Sequence, residues 1–440
     1  MGGVSASGNA NTQWTNFSPR VSVAYALNPK TVIRTGFGLS YTPFQDNTYA
    51  YNFPVRANNA YNTSAAPGAN GYGPAVLGDG VTPATFQAGF PAPVPVVIPS
   101  NGIITPTGTL ASSNFDVIPK DFKNTYVESW NFAVQRSLPG HFTLDVAYVG
   151  NHGVRTPTNV NMNVSYTLNS GNAGDVFAPR TQSYTERWRG FSSSYNALQA
   201  KFDRRFYAGL SITSSFTWQK GLSMQTGDDG NLLWFINPSR NWARTDFDRT
   251  LNFVQSYVYQ LPLGPGRKWL HTGLASKTIG GWQVSGILTM LTGTPFYITA
   301  NGGALNTPGE TQTANQVAPV QILHGIGPGN PWFSTASFTQ PVGAGVFGTS
   351  GRNILSGPGM FRIDLSMFKT FQMTERFKLE IRGESFDTTN TPSFSNPNGS
   401  CCSSNNANFG VVSGTINSGS GVNGIGAFGR SLQLAAKLTF

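Results

Sequence analysis

Charged side chains are scarce in this chain, and where they occur they keep a regular spacing. Lys378, Glu380, Arg382 and Glu384 alternate with Phe377, Leu379, Ile381 and Gly383. Asp145 stands between Leu144 and Val146, Lys201 and Asp203 flank Phe202, Asp364 lies between Ile363 and Leu365, and Lys437 separates Ala436 from Leu438. In a strand, every second side chain points to the same face, so such charges share a face opposite an apolar one. These nine residues could line a watery path for a polar ligand. They could equally pair with opposite charges across strands, which the alternating signs favour.

Bond-making chemistry finds little support. The four histidines (His141, His152, His271, His324) are scattered, none in H-E-x-x-H or beside a G-x-S-x-G elbow, so the chain reads as a non-enzyme without a cofactor. Asp228, Asp229, Asp246 and Asp248 lie in or beside one long connection, but they lack EF-hand spacing and its closing Glu, and no metal site is assigned. Gly419-Ser420-Gly421-Val422-Asn423-Gly424 matches G-x-G-x-x-G without a strand–helix unit around it and reads as a loop. Cys401 and Cys402 are adjacent in a Ser/Asn/Gly-rich stretch. They form no Cys-x-x-Cys motif, and a loop pair of no chemical consequence is expected ahead of a vicinal disulfide. The net charge of +10 comes from scattered Lys and Arg with no basic cluster, which argues against nucleic acid.

The elements that would position these residues are strands. Residues 427–440, AFGRSLQLAAKLTF, alternate strictly: Phe428, Arg430, Leu432, Leu434, Ala436, Leu438 and Phe440 share one face. Five hairpins precede this strand. They pair Arg20–Leu27 with Thr31–Tyr41, Tyr126–Ser137 with Phe142–Gly150, Tyr195–Phe206 with Leu210–Trp218, Leu251–Leu261 with Gly281–Tyr297, and Phe361–Thr370 with Arg376–Phe386. About eleven strands result. Trp130, Tyr148, Trp218, Trp282 and Phe440 are expected near strand ends as aromatic girdles.

Composition allows a membrane setting for these strands. Charged residues make up 11% of the chain, about half the share in ordinary soluble domains, while aromatics reach 12% and Gly numbers 51. No apolar run approaches the roughly 18 residues that a membrane helix requires. An antiparallel transmembrane β-barrel fits both facts, because its lipid-facing surface is spread over alternate residues. The short turns alternate with long Gly/Ser/Asn/Pro-rich segments at 43–124, 151–193, 220–247, 299–357 and 388–426. Short periplasmic turns and long extracellular loops are the pattern of outer-membrane barrels. With Phe440 in the periplasm, the parity of strands puts residues 1–19 outside. That parity, and the lack of an export signal in MGGVSASGNANTQW, lead us to expect a piece of a longer chain.

The segments NFSPRVSVAYALNPKTVIRTGFGLSYTPF, ESWNFAVQRSLPGHFTLDVAYVGNHG and SYNALQAKFDRRFYAGLSITSSFTWQKGL resemble the C-terminal barrel of TonB-dependent receptors. So do DRTLNFVQSYVYQLPLGPGRKWL, IGGWQVSGILTMLTGTPFYI and GRNILSGPGMFRIDLSMFKTFQMTERFKLEIRGESFDTTNTPSF. The similar subgroup carries an N-terminal carboxypeptidase-regulatory-like domain. The resemblance covers nearly all strands and turns, in order. It implies an outer-membrane barrel of about 22 strands around a plug, of which residues 1–440 would be one partial, C-terminal half. It further implies TonB-dependent uptake of a metal chelate, cobalamin or carbohydrate, with TonB reached only through an absent N-terminal region. The implied partners are outer-membrane lipid, the missing plug and barrel half, and the barrel assembly machinery, which would read the last strand and its terminal Phe440. A different class, an extracellular all-β binding or adhesion protein with display loops, would instead pack the apolar strand faces on a second sheet.

Overall fold

Alternation with period two lets each strand keep one apolar and one polar face while its backbone pairs with neighbours on both sides. The computed structural model describes residues 12–42, 55–56, 100, 114–117, 119, 122–227, 230–270, 272–402, 407–416 and 429–440. Its eleven long strands are β1 (Arg20–Asn28), β2 (Thr31–Tyr41), β3 (Tyr126–Leu138), β4 (Phe142–Asn161), β5 (Tyr184–Tyr207) and β6 (Leu210–Ser223). They continue as β7 (Leu251–Gln260), β8 (Gln283–Leu291), β9 (Met360–Gln372), β10 (Lys378–Phe386) and β11 (Ser431–Thr439). All eleven lie side by side in chain order in one antiparallel sheet, to which the short strands Val55–Arg56, Asn114–Val117 and Ala243–Arg244 attach. Among the described residues, β1 pairs only with β2 and β11 only with β10.

The turns follow from their residues. At Tyr207–Leu210 both central positions, Ala208 (φ 49°) and Gly209 (φ 84°), are left-handed, as a twisted two-residue hairpin demands. At the first turn the Asn28 side chain accepts the Lys30 N–H at 3.0 Å, closing an Asx turn.

Three expectations need correction. β4 and β5 run to 20 and 24 residues, well past Gly150 and Tyr195, where the sequence signal weakened. Both exceed the about 9–11 residues in which a transmembrane β-strand crosses a bilayer. β8 stops at Leu291; Pro295–Phe296 leaves the large sheet to pair with Leu355–Ser356. The connection from β7 to β8 contains a helix, α1 (Gly273–Ile279), that the sequence did not announce.

The long connections are not structureless. They hold the buried apolar clusters of the molecule, while the strands of the sheet are mostly exposed or half-buried. One cluster joins Phe296, Ile298, Ala314, Trp332, Phe333, Phe338, Leu355, Cys401 and Val412. A smaller one joins Val160, Phe191 and Leu232 at these extensions of β4 and β5. Cys401 and Cys402 form a vicinal disulfide, with Cys401 inside the larger cluster, which corrects the inconsequential loop pair expected.

Candidate functional site

Direct partners in an antiparallel ladder point to the same side of the sheet, so the register assigns every strand residue to a face. One face carries Val21, Val23, Phe37, Phe132, Tyr148, Leu198, Phe216, Trp218, Met290, Met367, Ile381 and Leu434. These side chains are exposed, Leu434 by 88%. Polar groups on this face are mutually satisfied. Ser214 Oγ donates to Gln255 Oε1 at 3.3 Å, and Tyr148 OH to Asn196 Oδ1 at 2.5 Å. Trp130 lies mid-strand, opposite Gly150, where a Cβ would overlap its ring; it covers the glycine and does not mark a strand end.

The opposite face holds all nine charges singled out in the sequence. The register sets Asp145 beside Lys201, Asp364 beside Ile287, Glu384 between Ser366 and Gln433, and Glu380 beside Lys437. Lys201 Nζ lies 2.7 Å from Asp203, Arg382 Nη2 2.7 Å from Glu380, and Arg382 Nη1 3.6 Å from Glu384. Lys378 faces Thr439 at the short-turn rim. Arg382 also lies over the Phe368 ring, 5.0 Å from its centroid. The structure therefore gathers the charges into two groups, one on β4–β5 and one on β9–β11.

Between the groups, β6 to β10 line an open depression of about 350 Å³ on this face. Its lining includes Ser211, Thr213, Ser256, Ser285, Asp364 and Glu384 beside apolar Val258, Ile287 and Phe386. Hydroxyls and carboxylates of this kind can bind a hydrated, hydrogen-bonding solute. Sequence reading missed Arg362, whose Nε lies 2.9 Å from Asp364. Its place two residues before Asp364 in strict alternation was the available signal.

A second set of polar residues, legible only in the fold, organises the connections at the far rim. The Arg352 side chain is fully buried. It donates to the carbonyl oxygens of Ser223 (3.2 Å), Asn241 (2.9 Å) and Arg244 (3.1 Å). Burial pulls its pKa down, while Asp246 and Tyr297 hold it up. Asn241, also fully buried, accepts the N–H groups of Leu233 and Trp234 and donates to the Trp234 and Pro238 carbonyls. Glu310 accepts the Phe235 and Ile236 N–H groups through Oε1 at 2.7 and 2.9 Å.

These contacts also account for the aspartates of the 220–248 region. Asp246 accepts from Asn353 and Gly227, and Asp248 from the Gly221 N–H. Asp228 and Asp229, His271 and the glycine run 419–424 lie outside the described residues. Among the described residues no three His, Cys, Asp or Glu converge as a metal site.

A comparison with curated proteins finds no match. Solved structures with a similar fold include the ferripyoverdine receptor of the outer membrane of Pseudomonas aeruginosa (8% identity, TM-score 0.43), covering 96% of this chain and 32% of that one. Others are the outer membrane transporter YddB of Escherichia coli (10%, TM-score 0.49, 96% and 40%) and the siderophore receptor PirA of Acinetobacter baumannii (10%, TM-score 0.43, 97% and 41%). The chain thus spans 32–41% of the length of those receptors. The family described as "outer membrane beta barrel domain" matches residues 2–433, in agreement with the barrel resemblance of the sequence. With that match over nearly its whole length, and a sheet of consecutive antiparallel strands with one apolar face, the chain belongs to the outer membrane beta barrel domain family and resides in the outer membrane.

Proposed function

We propose that this chain is the C-terminal barrel portion of a TonB-dependent receptor that passes a scarce polar ligand through the outer membrane. The observation that carries the reading is the segregation of faces. Every charge of the two polar groups lies on one side of the sheet, and the opposite side presents exposed aliphatic and aromatic side chains without a covering sheet. An apolar face on that scale is stable in lipid and costly in water. The polar face then borders the lumen, and the connections at the far rim form the outer vestibule. An adhesion-type sandwich needs a second large sheet over the apolar face. Among the described residues the only other sheets have two strands each and lie in the connections.

Completion by further strands is part of the proposal. Among the described residues β1 and β11 each offer an unpaired backbone edge, and lipid supplies no hydrogen bonds to satisfy it. The 440 residues would be one barrel half, with the plug and the TonB contact supplied by other parts of a receptor. The ligand class is that implied by the receptor resemblance: a metal chelate, cobalamin or a carbohydrate. Two measurements test this. The chain given an export signal and expressed alone should show no energy-dependent accumulation of any of these ligands; accumulation would overturn the partial-receptor reading. Gently refolded, the chain should require detergent or lipid to stay monodisperse, and a monodisperse chain in plain buffer would reject the barrel.

A further inference from the structure

The hairpin connections at the short-turn rim are tight except one. The segment between β7 and β8 spans 261–282 and folds on itself, with Gly264 and Gly280 in close backbone approach and the Gly281 N–H bonded to the Leu263 carbonyl at 3.0 Å. The ring of Trp269 and the side chains of Leu270, Leu274 and Ile279 are exposed, Leu274 by 79%. Among the described residues, none of these four side chains belongs to a buried apolar cluster.

Lys369 shows which side of the sheet this segment occupies. It pairs in register with Ile381, on the apolar face. Its side chain is nonetheless 5% exposed, and its Nζ donates to the Thr278 carbonyl of α1 at 2.9 Å. The helix therefore sits over the apolar face at the rim and takes a cationic group away from lipid. Arg267 and Lys268 are exposed beside it; Arg267 Nη2 donates to Gln260 Oε1 at 2.6 Å, and Lys268 Nζ lies 5.1 Å from the Trp269 ring centroid. Arg204, on the same face and rim, stacks on Phe142. A short element that exposes aromatic and aliphatic groups next to cations matches the boundary between acyl chains and anionic headgroups.

We propose that residues 267–270 and 272–279 form an interfacial anchor that inserts Trp269, Leu270, Leu274 and Ile279 into the phospholipid leaflet bordering the short-turn rim, with Arg267 and Lys268 at lipid phosphates. The occupant is phospholipid because the segment continues the apolar face of a sheet that belongs to an outer-membrane family, and because its cations complement phosphate. This rests on the barrel reading above, and the experiment separates the two.

The full chain, carrying C401S/C402S, would be reconstituted in phosphatidylethanolamine–phosphatidylglycerol vesicles with a bimane label at Leu274→Cys or, separately, at Met367→Cys. Met367 is an apolar-face site in mid-sheet. Doxyl lipids quench each label according to depth. Position 274 should be quenched within about twofold of 367, more by shallow than by deep doxyl groups, as expected for insertion at the headgroup boundary. In the R267Q/K268Q background the phosphatidylglycerol-dependent part of that quenching should fall. Quenching at 367 without quenching at 274 overturns the anchor and leaves the barrel standing. Absence of quenching at 367 rejects the barrel reading and the anchor with it.

Discussion

Arg352 and Arg244 reach past each other to grip the opposite backbone. Arg352 Nη2 donates to the Arg244 carbonyl at 3.1 Å, while Arg244 Nη2 donates to the carbonyls of Asn353 and Leu355, each at 3.1 Å. Asn353 closes the knot by donating to the Arg244 carbonyl at 2.7 Å and to Asp246 at 2.6 Å. Each guanidinium divides its donors between backbone carbonyls and a serine hydroxyl, Ser223 for Arg352 and Ser356 for Arg244. That is how connections without regular structure become a dry, fixed assembly.

Removing the centre of that knot should loosen the far rim. Arg352→Met leaves the Ser223, Asn241 and Arg244 carbonyls and Asp246 without their buried cation, and the expected loss is about 3–5 kcal/mol. Arg352→Lys should recover only part of it, since one ammonium cannot match a planar fork spread over several acceptors. Limited proteolysis within 224–250 reads the effect, and unchanged cleavage rates would show that the knot is dispensable.

The two faces of β10 should tolerate charge unequally. Arg at Leu379 or Ile381, or at Leu434 of β11, moves a charge toward lipid at a cost of about 2–4 kcal/mol near the midplane. The same residue at Glu380 or Gln433 stays on the polar face. Heat-modifiable mobility on gels measures the folded fraction, and equal losses at both sets of sites would refute the face assignment.

Glu310 should make the far-rim assembly weaken as pH rises. Burial raises its pKa above the ordinary glutamate value, a shift only partly offset by the Ile236 and Phe235 N–H groups and Arg240. A carboxyl with a raised folded pKa contributes stability that is fully present below its unfolded pKa, about 4.3, and is lost as pH rises through the folded value. Glu310→Gln keeps an acceptor for both N–H groups and removes the charge. Protection of the 224–250 and 299–357 segments against protease should then lose this part of its pH dependence. An unaltered pH profile in the variant would assign the effect elsewhere.

Topology can be read by labelling intact cells with an impermeant maleimide in a C401S/C402S background. Val342 is 87% exposed in a far-rim connection, and Met373 is 61% exposed in the turn between β9 and β10. Cysteine at 342 should react and cysteine at 373 should not. Ser350, in the same long connection as Val342, is buried at 1% and would give a false negative. Equal reaction at 342 and 373 would contradict the orientation.

Strands, short turns and the two faces were legible in the chain because period two is a local property. Phe377, Leu379 and Ile381 against Lys378, Glu380 and Arg382 specify a strand and its sides without reference to any neighbour. The ends of β4 and β5 were not, since Val160 and Phe191 are buried by the far-rim connections and lose the alternation of a bilayer-facing strand. Seven-residue α1 was equally hidden, being too short to establish a helical period. Only the tertiary structure decided that Asp145 sits beside Lys201 and that Arg244 holds a carbonyl 109 residues away. Such contacts depend on register and on chain reversals between distant segments. A side chain in sequence states its own chemistry but not the partner that folding brings to it.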